Sequence, residues 1–385
     1  MRVDLHALGT FSRTGNAGAS HAADSLSALT GEEVHVDATQ TNFVPASNFD
    51  DIGTSDPHRI AIAFSGGLDG RAVLVFDEAS AHHTLDALGD VEATAYLQEL
   101  ANVMTSSYVD GFADYLGTTI DITPPAQMAD GEPILGPDDS IDECGFLFES
   151  DLQFTGTPYG CSFYMTPSPD SFLSIVRSED PDAEGVGVDE LATFIQLTAA
   201  GADTVGENIT QLTGIETDIT ISYLDFVPVE NVPTVLDDGQ YIGAAFEFTG
   251  PPDGFLTVFF DEAGADTIAD ALLPEGTTDE SMRESAISEL GNITASGFID
   301  GWANALDTTI DISTPGYFRD LGRAVLDSIA AELGTSQEFA YVFDATIEGE
   351  TDIGCRVCAF PEEGGLKTAL TDVDADLDVS TIERL

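Results

Sequence analysis

The chain has 385 residues, of which 11 are Lys or Arg and 70 are Asp or Glu, a formal net charge of −59. With 43% apolar and 9% aromatic residues it holds the apolar surface that a disordered polyanion lacks, so it folds, and its length suggests two domains. So few cations cannot neutralise the phosphates of a nucleic acid or dock on an anionic membrane. Acidity spread along the whole chain reads as adaptation to a salt-rich cytoplasm, where counterions screen self-repulsion.

The elements follow in chain order. A helix is predicted over about Leu8–Gly31, then strands at EVHVDA from Glu33, HRIAIAF from His58 and AVLVFD from Ala72. A short helix follows Asp77-Glu78-Ala79, and a long one spans about Val91–Leu116. The strand GFLFESDLQF, from Gly145, closes this half. The acidic, Gly- and Pro-containing stretch Ser178–Val188 reads as a joint. The grammar then restarts with a helix over about Val188–Gly214 and strands at TDITISY from Thr217, YIGAAFEF from Tyr241 and FLTVFF from Phe255. A short helix after Asp261-Glu262-Ala263, a long helix over about Thr278–Leu306 and a strand FAYVFDATIE from Phe339 complete it. Strands and helices alternate without a βαβ rhythm or a phosphate loop, which predicts an α+β fold with an antiparallel sheet.

The two halves are copies. YVDGFADYLGTTIDITPP from Tyr108 aligns without a gap to FIDGWANALDTTIDISTP from Phe298. FSGGLDGRAVLVFDEASAHHTLDAL from Phe64 matches FTGPPDGFLTVFFDEAGADTIADAL from Phe248, and Gly160-Cys161 matches Gly354-Cys355, in the same order. The chain is therefore a tandem of two homologous modules, residues 1–180 and 186–385.

The second long helix carries Ser285, Glu289, Asn292 and Ser296, whose spacing keeps them in one stripe, while Ile287, Leu290, Gly297 and Trp302 fall largely on other faces. The first long helix repeats the stripe as Ala95, Glu99, Asn102 and Ser106. In both modules a Pro follows the Asn by 23 residues, at Pro125 and Pro315. A polar stripe is usually a solvated face. Asn, however, is a mediocre helix former, and a solvated face draws Glu, Lys or Gln first.

The pattern Asp/Ser-x3-Glu-x2-Asn-x22-Pro resembles the active-site signature of the CheC/CheX/FliY chemotaxis phosphatases. Ser285, Glu289, Asn292 and Pro315 fit it fully, and the first module departs only in Ala95. The resemblance covers nearly all of both modules. It implies that each is a CheC-like unit, an antiparallel sheet with two long helices in a pseudo-twofold arrangement, giving four site frames. The two opening helices depart further. Measured from the closing Gly31, the first retains Asn16 but has Arg13 at the Glu position and Thr39 at the Pro position; measured from Gly214, the second has Gln196 and Ala199. Neither opening helix is expected to be catalytic.

The resemblance implies hydrolysis of the aspartyl phosphate of CheY during adaptation. The regulator brings the phospho-Asp, its Mg²⁺ and a Lys, and the phosphatase needs no cofactor of its own. Asn292, and secondarily Asn102, would hold the attacking water, and Glu289 and Glu99 would pair with the regulator's Lys. CheD, a receptor deamidase, is the second expected partner, and a non-catalytic CheD-binding adaptor is the alternative reading.

Other signals carry less. Cys355 and Cys358 stand on opposite faces of a predicted strand and lack two further zinc ligands. His82 and His83 are expected to be solvated on a short surface helix, and Asp77-Glu78 and Asp261-Glu262 to serve helix N-termini. The opening MRVDLHALGT lacks a leader's pattern, no apolar run approaches the roughly 20 residues of a membrane span, and four Cys are too few for a disulfide framework. A cytoplasmic location is expected.

Overall fold

Two sharp stops set the lengths of the opening helices. Gly31 and Gly214 both take the left-handed conformation, at φ 76° and 74°, and each donates its N–H to the carbonyl four residues back at 2.9 Å. In the computed structural model, residues 2–3, 5–45, 58–86, 93–129, 131–134, 144–176, 186–236, 239–274, 276–277, 279–349 and 354–372 are described. They form two compact units, Val3–Ala183 and Glu184–Leu385 with Met1–Arg2. The expected joint falls mostly outside the described residues.

The first unit runs β1 (Arg2–Val3), α1 (Leu5–Thr30), β2 (Val34–Pro45), β3 (His58–Gly66), β4 (Gly70–Phe76) and α2 (Glu78–Asp86). It continues with α3 (Ala93–Leu116), β5 (Ile120–Ile122), β6 (Ala126–Gln127), β7 (Cys144–Phe154), β8 (Gly160–Pro167) and α4 (Pro169–Val176). Its sheet has the antiparallel order β2-β7-β8-β4-β3-β5, with β6 also on β3. That order is its own mirror if β2 exchanges with β5, β3 with β7 and β4 with β8. The pseudo-twofold is thus written in the topology, with α1 and α3 as mates.

The second unit repeats it with β9 (Val186–Gly187), α5 (Val188–Thr213), β10 (Thr217–Pro228), β11 (Gln240–Thr249), β12 (Gly254–Asp261) and α6 (Glu262–Leu272). Then come α7 (Glu280–Ala305), β13 (Asp311–Ile312), β14 (Gly316–Leu321), α8 (Gly322–Leu333), β15 (Phe339–Gly349), β16 (Cys355–Pro361) and α9 (Glu363–Asp372). Its strands follow the order β10-β15-β16-β12-β11-β13, with β14 also on β11.

Each pair of long helices packs on one face of its own sheet through aromatic residues. In the first unit Phe11 lies 4.5 Å from Phe112, 5.1 Å from Phe148 and 4.9 Å from Phe172, ring centre to ring centre. In the second, Trp302 fills that place, 5.2 Å from Phe194 on α5 and 4.9 Å from Phe343 on β15. Its indole N–H donates to Thr198 Oγ1 at 3.0 Å, which satisfies the one polar group that burial of Trp would otherwise strand. The opposite face of the second sheet is closed by α8 and a 3₁₀ turn, Val229–Thr234, through Val232, Phe259, Leu326, Ile329 and Phe360. Neither α8 nor the short helices α4 and α9 is anticipated by the sequence reading. Among the described residues no helix is long and apolar enough to cross a membrane.

Candidate functional site

Both candidate stripes lie where the helix geometry puts them. On α7, Ile287, Leu290, Ala295, Phe298 and Trp302 are buried, and on α3 so are Leu97, Leu100, Met104, Tyr108 and Phe112. Ser285 and Glu289 are exposed, as are Ala95 and Glu99, and Asn292, Ser296, Asn102 and Ser106 are half-buried. Gly297, counted as a core position, is only half-buried, with Val205 against it. Among the described residues neither Asn carboxamide has a side-chain hydrogen-bond partner within the chain, so both amide groups are available to an outside water.

The Pro of each signature is held by a latch that its own repeat encodes. The residue two before it, Thr123 or Ser313, donates its N–H to the strand alongside, Ala63 O or Glu247 O, at 2.8 Å. Its hydroxyl accepts the N–H of the same strand residue at 3.0 Å. Pro125 and Pro315 follow, half-buried, at the start of β6 and β14. The turn before β4 and β12 is closed the same way twice: Asp69 and Asp253 accept from Gly66 N and Gly250 N at 2.9 and 2.6 Å. The latch residues escaped the sequence reading, although Thr or Ser two before the Pro recurs in both modules.

Tyr96 lies one turn before Glu99, and its hydroxyl is held above the usual tyrosine range by burial and then by the charge of Glu99. Tyr317, two residues after Pro315, is raised by burial and by Glu284 and Glu280, with Arg319 opposing. Arg319 and Arg283 belong to a group of charges around a polar cavity of about 240 Å³ lined by residues of α6, α7, β11 and β14. Nothing local in the sequence marks either arginine.

The opening helices carry their substitutions openly. Arg13 is exposed and Asn16 half-buried on α1, while Thr39 lies within β2 and donates to Ser150 Oγ at 3.2 Å. Gln196 and Ala199 lie on α5.

One expectation fails. His82 is exposed and pairs with Glu78, but His83 is 23% exposed, stacks on Tyr159 at 4.5 Å and bonds Glu32 Oε2 at 2.9 Å. Local sequence points to solvation, whereas both partners come from elsewhere in the fold. Asp77 and Asp261 cap α2 and α6, each accepting a backbone N–H at 2.6 Å. Cys355 and Cys358 are buried and unbridged on β16, and burial raises the Cys355 thiol well above its usual range.

Each unit, then, contributes seven described antiparallel strands with two long helices on one face, one of them bearing an exposed Glu-x2-Asn stripe. The CheC-like family model matches residues 92–128 and 282–319, the stretches that run through both stripes to just beyond each Pro. A protein of Halobacterium salinarum named "Putative CheY-P phosphatase CheC1" is 36% identical over 182 residues, 46% of this chain and 92% of that protein. The chain belongs to the CheC-like family. Among solved structures, Thermotoga maritima FliY is 21% identical, covering 46% of this chain and 96% of its own, with a TM-score of 0.35. The CheX–CheY–BeF3–Mg²⁺ complex from Borrelia burgdorferi is 16% identical, covering 39% and 96%, with a TM-score of 0.29.

Proposed function

We propose that this chain hydrolyses the aspartyl phosphate of CheY during chemotactic adaptation, through Glu289 and Asn292 and secondarily through Glu99 and Asn102. One observation carries the reading: the same exposed Glu and half-buried, unpartnered Asn recur on both long helices, each with a latched Pro at the same spacing. The name of the Halobacterium relative supports it.

The chemistry asks little of the enzyme. Water attacks phosphorus in line, the bond from phosphorus to the aspartyl oxygen breaks, and the carboxylate leaves with inorganic phosphate as the other product. An Asn amide can accept from and donate to that water, so it contributes position rather than base strength. Glu289, one turn away on the same stripe, would hold the regulator's Lys and set the helix in register. The Mg²⁺ belongs to the regulator, and no residue of this chain is assigned to hold one.

The test is the decay of phosphorylated CheY in multimolar KCl, with wild type, Asn292→Ala, Asn102→Ala and the double variant. Wild type should speed the decay, the double variant should not, and the single variants apportion the two sites. If wild type leaves the decay unchanged, with and without CheD, catalysis is refuted and CheD binding becomes the function to pursue.

A further inference from the structure

The two modules hold the segment after the signature Pro in different ways. In the first, Arg59 on β3 donates to the carbonyls of Ala129 and Glu132. Arg71 on β4 donates to those of Pro133 and Ile134, at 2.7 and 2.6 Å, and to the Glu132 carboxylate at 3.2 Å. That segment is therefore gripped by the sheet. In the second module the residue matching Arg59 is Gly243, where a Cβ would run into the Val258 carbonyl on β12 and stand 2.8 Å from the ring of Phe318. The segment instead extends as β14, six residues in register with β11.

Two arginines of the second module, Arg319 on β14 and Arg283 on α7, pair with carboxylates of the helices instead. Arg319, four residues after Pro315, bridges Glu262 in the first turn of α6 and Glu280 in the first turn of α7, each at 3.1 Å. Arg283, in the first turn of α7, bridges Asp266 and Asp270 on α6. The pairing registers are equivalent, Gln127 opposite Ile60 and Tyr317 opposite Ala244, so the residue matching Arg319 is Ala129; the one matching Arg283 is Ala93. The first module has neither bridge.

We propose that Arg319 and Arg283 are positioning residues of the second module's site, coupling the strand that follows Pro315 to the start of the helix that carries Glu289 and Asn292. This rests on the phosphatase reading of that helix. Exposed ion pairs contribute little to global stability, so the effect is local: where the first turn of α7 sits relative to α6 and β14 fixes how the stripe is presented. A guanidinium suits the task because its planar fork meets two carboxylates at once, which an ammonium cannot do with the same geometry.

The experiment uses the full chain in multimolar KCl. Arg319→Ala, Arg319→Lys and Arg283→Ala are each made in Asn102→Ala, which leaves only the second site, and in Asn292→Ala, which leaves only the first. In the Asn102→Ala background each alanine variant should lower kcat for phosphorylated CheY about five- to tenfold with KM nearly unchanged, and Arg319→Lys should recover part of the loss. Neither should alter turnover in the Asn292→Ala background. Unchanged turnover in the first background, or equal loss in both, overturns the proposal. Hydrogen exchange gives a readout free of activity: Arg319→Ala should speed exchange of the amides of Met282–Glu289 and spare those of α3, and unchanged exchange overturns the brace. Faster exchange with an inactive Asn102→Ala parent would refute the phosphatase reading of this site and leave the brace standing.

Discussion

Gly291 precedes Asn292 and marks a place where α7 lies close against β11. A Cβ built there would stand 3.0 Å from the Ala244 methyl on β11. Carbon atoms separate comfortably at about 3.5–4.0 Å, so Gly291→Ala requires a shift of roughly half an ångström or more. Ala244 is buried and its strand is paired on both sides, to Val258 and to Tyr317, so the helix has to yield. Overpacking of this kind costs about 1–3 kcal/mol, against about 1 kcal/mol gained by removing a mid-helix Gly. Global stability should thus fall by no more than about 2 kcal/mol. Asn292 moves with the helix, and because a 1 Å misplacement can cost about a hundredfold in rate, turnover should fall about three- to tenfold. The assay is phosphorylated-CheY decay in the Asn102→Ala background, beside denaturant unfolding. Adding Ala244→Gly reopens the gap and should restore turnover while lowering stability further. Undiminished turnover in Gly291→Ala, or a double variant no faster than the single, would refute the claim that this contact seats the site.

Asp307 is the only described residue other than Gly with a left-handed backbone, at φ 47°, in the place that Gly117 takes after α3. Asp307→Gly should raise stability by up to about 1 kcal/mol, and a loss in thermal unfolding would contradict the strain assigned to it. Trp302→Phe removes the bond to Thr198 but strands no donor, since that hydroxyl still donates to Phe194 O at 2.7 Å. It should cost about 1–2 kcal/mol, against about 3–5 kcal/mol for Trp302→Ala, by denaturant titration. Glu149 is pushed up to about 7, first by burial and then by Asp151, with a hydrogen bond from Tyr164 opposing. Between the ordinary carboxylate range and about 7 the folded chain keeps a proton that the unfolded chain releases, so this group lowers stability as pH rises through that window. The stability of Glu149→Gln relative to wild type should therefore climb across that window and level off above it; a difference independent of pH would refute the assignment.

What the sequence disclosed and what it concealed divide along locality. The long helices were legible because Leu97, Leu100 and Met104, or Ile287 and Leu290, recur at helical spacing opposite the polar stripe, and each copy corroborates the other. α4 and α9 were not. They are the pseudo-twofold mates of α2 and α6, but the Phe-Asp-Glu-Ala step that announces α2 and α6 has diverged to Pro-Ser-Pro-Asp before α4 and Phe-Pro-Glu-Glu before α9. α8 has Leu326, Ile329 and Leu333 at helical spacing, and only the sheet face it covers gives that pattern its weight. The stripes could be read because one helix holds them. His83 against Tyr159, and Arg319 against α6 and α7, join distant segments, and no local pattern encodes such contacts.

The same distinction bears on the two opening-helix frames, which depart from the signature. At α1 the obvious defect is Arg13 in place of Glu, with Asn16 still present and half-buried. If the side chains were the whole matter, Arg13→Glu would rebuild a site. The backbone says otherwise. After α3 and α7 the chain makes only three- and two-residue strands, β5 and β13, before a latched turn ends at the Pro. After α1 it makes β2, twelve residues paired with β7 along its length, and Thr39 lies inside that ladder. A Pro there would lack the N–H and φ freedom that a ladder position calls for, so loss of the Pro turn and growth of the strand are one structural event. Arg13→Glu, placed in the Asn102→Ala, Asn292→Ala chain, should therefore leave phosphorylated CheY decaying at its unassisted rate. Recovered turnover would show that the Glu-x2-Asn stripe suffices without its Pro turn, and the Thr123 and Ser313 latches would then have no part in building the site.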